Sequence, residues 1–286
     1  MDIAVLGPLA VRENGISVTP TAPKPRQVLA LLALHADEVV PVASLVEELW
    51  GGQAPRSART TLQTYVLQLR EMIAAALVHD PQGTAPRIAK DVLVTAPGGY
   101  VLHTSGGTSD VREFERLAGV GYRAMDAGDF PRAARELSTA LALWNGSALA
   151  DVQAGPQLEM QIRRLEETWL CALDQRIEAD LRLGRHRELL AELTVLVSRY
   201  RTHENLHGQF MLALHRSGRR SEALDVYQRL RQTLVRELGL EPSAGLRRLQ
   251  RSILMAGPEQ PLDAPAAPAA PAVPPGPGAE RLSRVG

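Results

Sequence analysis

The sequence holds a single cysteine, Cys171, in 286 residues. One thiol cannot build a disulfide framework or a cysteine-ligated zinc site, and it suits a reducing cytoplasm. An excess of charge of either sign is also missing, since 32 Lys and Arg balance 32 Asp and Glu. A chain that coats nucleic acid without sequence preference is usually basic overall, so that function is disfavoured, although a local basic patch stays open. Long apolar runs are lacking: the longest, residues 28–34, falls far below the roughly 20 residues that a bilayer span needs. The opening MDIAVLGPLAVREN has too short an apolar stretch and no basic leader to serve as a signal peptide. A soluble chain with no membrane partner is expected. There is no glycine-rich phosphate loop and no G-x-S-x-G elbow, so nothing in the sequence argues for an enzyme or a cofactor.

What is present divides the chain into stretches of different periodicity, two or three small domains by length. Residues 3–6, 9–12 and 16–18 are short β-like pieces broken by Gly7-Pro8 and Asn14-Gly15, the latter a strong hairpin signal. Three helical segments follow. Residues 25–36 are strongly apolar with Pro25 tolerated in the first turn. Residues 42–50 stop at Gly51-Gly52. Residues 57–77 start at Ser57, a candidate N-cap. Residues 87–103 return to strand character around Pro97-Gly98-Gly99. A small sheet, three helices and a terminal hairpin is the element order of a winged helix-turn-helix over residues 1–104; plain α+β packing without that purpose is the alternative.

Residues 110–255 read as helical throughout. Helices end on Gly128, Gly184 and Gly218 and restart at once, and the last two glycines are 34 residues apart, the tetratricopeptide period. The 56-residue gap before them leaves room for an inserted loop at 145–157. A TPR-like array of three helix pairs is expected, each pair needing a stacked neighbour to cover its apolar face. Residues 257–286 are Pro/Ala-rich with almost no large apolar side chains, and a disordered tail is expected there. The fold class is thus mainly α with a small β part.

The chemistry concentrates in RSARTTLQTYVLQLREMI, residues 56–73. At 100° per residue Ala58, Leu62, Val66, Leu69 and Ile73 share one face, while Ser57, Thr60, Thr61, Thr64, Gln68 and Glu71 lie opposite. The segment carries three arginines and no acid between Arg56 and Arg70. Short hydroxyl and amide side chains on a helix can touch base edges in a major groove, and flanking arginines can reach phosphates. A solvated amphipathic helix is the bland alternative, but such faces usually mix Glu with Lys. A competing motif, His203-Glu204-Asn205-Leu206-His207, matches the H-E-x-x-H zinc-protease pattern. It fixes only three positions, a third ligand such as Glu222 or Glu241 is only a guess, and no zinc is expected. Cys171, next to Leu170 and Leu173, is expected to be a small buried hydrophobe.

Taken together, these segments resemble the Streptomyces antibiotic regulatory proteins over about residues 1–255. IAVLGPLAVRENG is similar to the family's leading sheet and KPRQVLALLALHA to its first helix. PVASLVEELWGGQAPRSARTTLQTYVLQLR is similar to its helix–loop–recognition helix, and TAPGGYVL to its wing. REFERLAGVGYRAMDAGDFPRAARELSTALALWNGSAL and the stretches LEETWLCALDQRIEADLRLGRHRELLAEL and MLALHRSGRRSEALDVYQRLRQTLVRELGLEPSAGLRRLQ resemble the bacterial transcriptional activation domain. Gln68 stands where many related helices carry Arg, and the wing near Pro97 carries none.

The resemblance implies a cytoplasmic activator, nucleoid-associated when bound to promoters, that regulates antibiotic biosynthesis genes. It would bind direct repeats near the −35 region, two protomers side by side. It would recruit RNA polymerase holoenzyme through the sigma factor and the C-terminal domain of the alpha subunit. The candidate DNA contacts are Arg56, Arg59, Thr60, Thr64, Gln68 and Arg70, with Lys24 and Arg26 on the first helix and Arg87, Lys90 and Thr95 around the wing. The loop Gly52, Gln53, Ala54 and Pro55 is the implied polymerase contact. A TPR-like interaction scaffold whose winged helix does not bind DNA is the competing function.

Overall fold

The computed structural model describes residues 1–78 and 87–256. The expected tail at 257–286 lies outside the described residues. The chain forms two compact units, Met1–Tyr200 and Arg201 onward.

The first unit opens with β1 (Asp2–Ala4), β2 (Ala10–Glu13) and β3 (Ile16–Ser17), an antiparallel sheet in chain order. Asn14 and Gly15 both take positive φ between β2 and β3, the primed turn that suits strand twist. α1 (Pro23–Leu34) begins two residues earlier than its apolar run suggests, because a proline at a helix start gives up only an amide with no helical partner. β4 (Val40–Pro41) leads into α2 (Val42–Trp50), and α3 (Ala58–Leu77) follows the loop between them. Ser57 occupies the N-cap position of α3, but its side chain makes no capping hydrogen bond.

The expected strand character from residue 87 is corrected: α4 (Ala89–Val92) is a single helical turn. Asp91 causes it, since its carboxylate accepts from the Ile88 amide at 3.0 Å while its own amide donates to the Ile88 carbonyl at 2.9 Å. The wing is the hairpin of β5 (Leu93–Ala96) and β6 (Gly99–Leu102), turned by Pro97 and Gly98, with β4 on the other side of β6. Leu29, Leu32, Leu45, Leu62, Leu69, Ile73, Leu93 and Leu102 are fully buried together. Burying each leucine contributes on the order of 2 kcal/mol, and these side chains fix the three helices against the wing.

The remaining helices of this unit are α5 (Asp110–Asp126), α6 (Phe130–Leu141), α7 (Pro156–Arg182) and α8 (His186–Arg199). The second unit holds α9 (Glu204–Arg216), α10 (Arg220–Leu238) and α11 (Ala244–Met255). The three expected glycine turns share one hydrogen-bond register. The Asp129 amide donates to the Ala124 carbonyl, Arg185 to Asp180 and Arg219 to Leu214, at 2.9, 3.0 and 2.9 Å. Gly128, Gly184 and Gly218 each have φ between +73° and +81°, a conformation that costs residues with a Cβ about 1–2 kcal/mol. One turn is therefore used three times, joining α5 to α6, α7 to α8 and α9 to α10. Cys171 corrects its expectation: it is exposed on α7, because Leu165, Ala172, Leu173 and Ile177 form the buried stripe and leave it on the outer side.

Candidate nucleic-acid interface

The core stripe of α3 is Ala58, Leu62, Val66, Leu69, Ile73 and Ala76. Locking that face inward turns Arg59, Thr60, Gln63, Thr64, Gln68 and Glu71 to solvent, and Arg56 is exposed just before the helix. Leu67, which the polar pattern passes over, also stands on this outward face with 56% of its surface exposed. Its position was available from helical geometry, since residue 67 lies on the same side as residues 60 and 64. The Thr64 hydroxyl donates back to the Thr60 carbonyl at 3.2 Å. Gly52, Gln53, Ala54 and Pro55 form an exposed loop at the start of α3. The Gln53 amide donates to Trp50 at 3.2 Å and the Ala58 amide to Pro55 at 2.9 Å, so the loop is a fixed turn whose side chains face outward.

The other candidate cations have partners within the chain. Arg70 donates from Nε and Nη2 to the Leu93 carbonyl at 3.0 and 2.8 Å, and from Nη2 to the Thr95 hydroxyl at 2.8 Å, tying α3 to the wing. Lys24 donates to the Leu49 carbonyl at 2.5 Å and to Gln27 at 3.3 Å. Arg87 pairs with the buried carboxylate of Glu13 at 3.2 Å, beside the Met1 amine at 3.3 Å. Arg26 donates to the Pro20 carbonyl at 3.0 Å and pairs with Asp151. Arg56, Arg59 and Lys90 have no such ion pair among the described residues. The structure therefore leaves Arg56, Arg59, Thr60, Thr64 and Gln68 exposed on α3 or just before it, and gives Lys24, Arg26, Arg70 and Arg87 partners within the chain.

Such internal contacts continue into the helices beyond the wing. Glu48 on α2 is 2% exposed. Its carboxylate accepts from the amides of Gly155, Gln157 and Leu158 at 2.6, 2.9 and 2.9 Å and from the Gln27 side chain at 2.7 Å. Gly155 and Gln157 open α7, so a buried negative charge caps the positive end of a 27-residue helix. No sequence pattern announces this contact, because its partners lie more than a hundred positions away. Similar clasps surround it. The Asp110 carboxylate accepts from the Val5 and Leu6 amides at 2.7 and 2.8 Å, and Asp151 from the Leu9 amide at 2.7 Å. Burial pushes the Asp110 carboxyl up, and the Leu6, Val5 and Val111 amides pull against it. Burial also presses upward on Asp37, but the Thr104 amide and hydroxyl, Arg112 and His103 outweigh it and hold the carboxyl at about 2.

In the second unit the HENLH residues have structural roles. His203 lies before α9 and accepts the Leu206 amide on Nδ1 at 3.3 Å; His207 is buried, its Nδ1 3.0 Å from the His203 carbonyl. Burial pushes the His207 imidazole down. Glu204 accepts the Ser243 amide at 2.8 Å, anchoring the start of α11.

A winged helix whose reading helix faces solvent, followed by paired helices, is the architecture of a DNA-binding transcriptional regulator. Comparison with known proteins agrees. Residues 109–254 match the family described as Bacterial transcriptional activator domain, and residues 17–84 match Transcriptional regulatory protein, C terminal. The chain is 53% identical over 274 residues to Regulatory protein DnrI of Streptomyces peucetius, covering 93% of this chain and 99% of that one. It is 37% identical to Regulatory protein AfsR of Streptomyces coelicolor over 255 residues, 89% of this chain and 24% of AfsR. Among solved structures, Mycobacterium tuberculosis EmbR in complex with a low-affinity phosphopeptide superposes with a TM-score of 0.81 at 34% identity, over 92% of this chain and 66% of that one. The chain belongs to the Streptomyces antibiotic regulatory protein family of DNA-binding transcriptional activators. Members of this family are regulators of transcription and not enzymes. Among the described residues no helix is long and apolar enough to cross a membrane.

Proposed function

We propose that this activator switches on antibiotic biosynthesis genes by binding direct repeats near the −35 region and recruiting RNA polymerase holoenzyme. Two protomers occupy successive repeats head to tail, about one helical turn apart. Thr60, Thr64 and Gln68 face base edges, and Arg56, Arg59 and Lys90 supply phosphate contacts. Arg70 and Thr95 hold α3 and the wing in register, while Lys24, Arg26 and Arg87 brace the winged helix through Leu49, Asp151 and Glu13. The loop Gly52–Gln53–Ala54–Pro55 meets polymerase, with the sigma factor and the C-terminal domain of the alpha subunit as its partners, and residues 110–255 complete the activating surface.

The observation that carries this reading is the outward face of α3: acid-free from Arg56 to Arg70, with two unpaired arginines at its start and an exposed fixed loop beside it. A chain with no net charge suits modest affinity for a single site, so side-by-side protomers and polymerase must add binding energy. Footprinting on the upstream region of neighbouring biosynthetic genes tests the proposal. Two protected patches one turn apart, extended when holoenzyme is added, are expected. Protection that disappears under excess non-specific duplex would refute it.

A further inference from the structure

Leu67 is a large aliphatic side chain in the middle of the outward face of α3, more than half exposed. Single exposed leucines are common on soluble proteins, so the position and the neighbours carry the argument. Leu67 lies one turn beyond Thr64 and two beyond Thr60, on the side opposite the buried stripe of Leu62, Val66, Leu69 and Ile73. The Thr64 hydroxyl donates to the Thr60 carbonyl, which uses its one proton, so what Thr64 still offers a base is an acceptor oxygen and its methyl. Leu67 and Thr64 thus put adjoining aliphatic carbon where the helix would meet DNA, while Gln63 and Gln68 flank it with amides. A major groove displays one apolar feature that such a surface matches, the C5-methyl of thymine.

We propose that Leu67, together with the Thr64 methyl, is a specificity-determining contact that selects thymine by its C5-methyl, separately from any hydrogen bonding by Gln68. This rests on α3 being the helix that enters the groove. The test uses the full chain and duplexes that it selects from a random pool. Each thymine of a selected duplex is replaced in turn by deoxyuridine, which removes only the methyl. The wild type should lose about fourfold in affinity at one or two positions, the value for burying one methyl group. Leu67→Ala should bind the thymine and uracil duplexes equally at those positions, while Gln68→Ala should keep the difference. Uracil tolerated everywhere by the wild type, or an unchanged uracil penalty in Leu67→Ala, would overturn the thymine contact and leave DNA binding standing. A pool that yields no enriched sequence would overturn the role of α3, and this contact with it.

Discussion

Arg59 and Arg70 lie on the same helix, three turns apart, and have opposite employment. Arg59 ends in solvent, whereas Arg70 ends on the Leu93 carbonyl and the Thr95 hydroxyl of the wing. Arg56 and Arg26 repeat the contrast, one exposed and the other locked to Asp151. Guanidinium chemistry is identical in each pair. What differs is whether the fold brings oxygen atoms within reach, and that decides whether an arginine can neutralise a phosphate or holds the surface in place.

The contrast can be broken hardest at its base. Glu48→Ala leaves the amides of Gly155, Gln157 and Leu158 without their acceptor, and should cost roughly 3 kcal/mol or more, read as a fall of several degrees in the first thermal transition. Glu48→Gln keeps the shape and loses the charge, and should cost less. On the reading face, Gln68→Ala should cost about 1–3 kcal/mol of binding and relax preference at particular base pairs; an unchanged preference would remove Gln68 from the base contacts.

The arginines sharpen the comparison directly. Arg59→Ala should weaken binding by about 1 kcal/mol on every sequence and reduce the salt slope by about one phosphate. Arg26→Ala should lower the melting temperature and leave the salt slope unchanged. Equal salt slopes for the two variants would abolish the distinction between surface and scaffold.

Asp37 gives a smaller effect. Its carboxyl is held at about 2 in the folded chain, below the roughly 3.9 of an unfolded one. Its contribution to stability is therefore complete above about pH 4 and is lost as pH falls through about 2. Asp37→Asn should flatten that part of the acid-unfolding profile, modestly because the pair with Arg112 is part-exposed and screened. Smallest on binding is Gln53→Ala, which should leave promoter affinity within about twofold, roughly 0.4 kcal/mol, while lowering transcription by purified holoenzyme. Equal losses in both assays would make the loop a spacer only.

Local patterns made much of this molecule legible. The stripe from Ala58 to Ile73 is buried as the helical period requires. Asn14-Gly15 and Pro97-Gly98 turn hairpins, and the three glycines close one repeated turn. These features depend on neighbours within a few positions. The contacts between the winged helix and the later helices depend on neighbours far away, so Glu48 reads like any helical acid, and Arg26, expected to contact DNA, ends on Asp151. Leu67 escapes a polar pattern for a different reason: it is aliphatic, although the geometry that places Thr60 and Thr64 outward places it there too. The single turn at Ala89–Val92 followed from one side-chain bond by Asp91 that strand character does not reveal.

The buried clasp between α2 and α7 also bears on promoter layout. With Glu48, Asp110 and Asp151 fastening the winged helix to α7, α5 and the loop between α6 and α7, the proposed activating surface on those helices would turn together with the reading helix. Helical phase then becomes a design constraint on the DNA. Inserting about 5 bp between the binding site and the promoter core turns that surface to the far side of the helix, while about 10 bp restores its bearing. A tethered activator would track the distance; this one would track the angle.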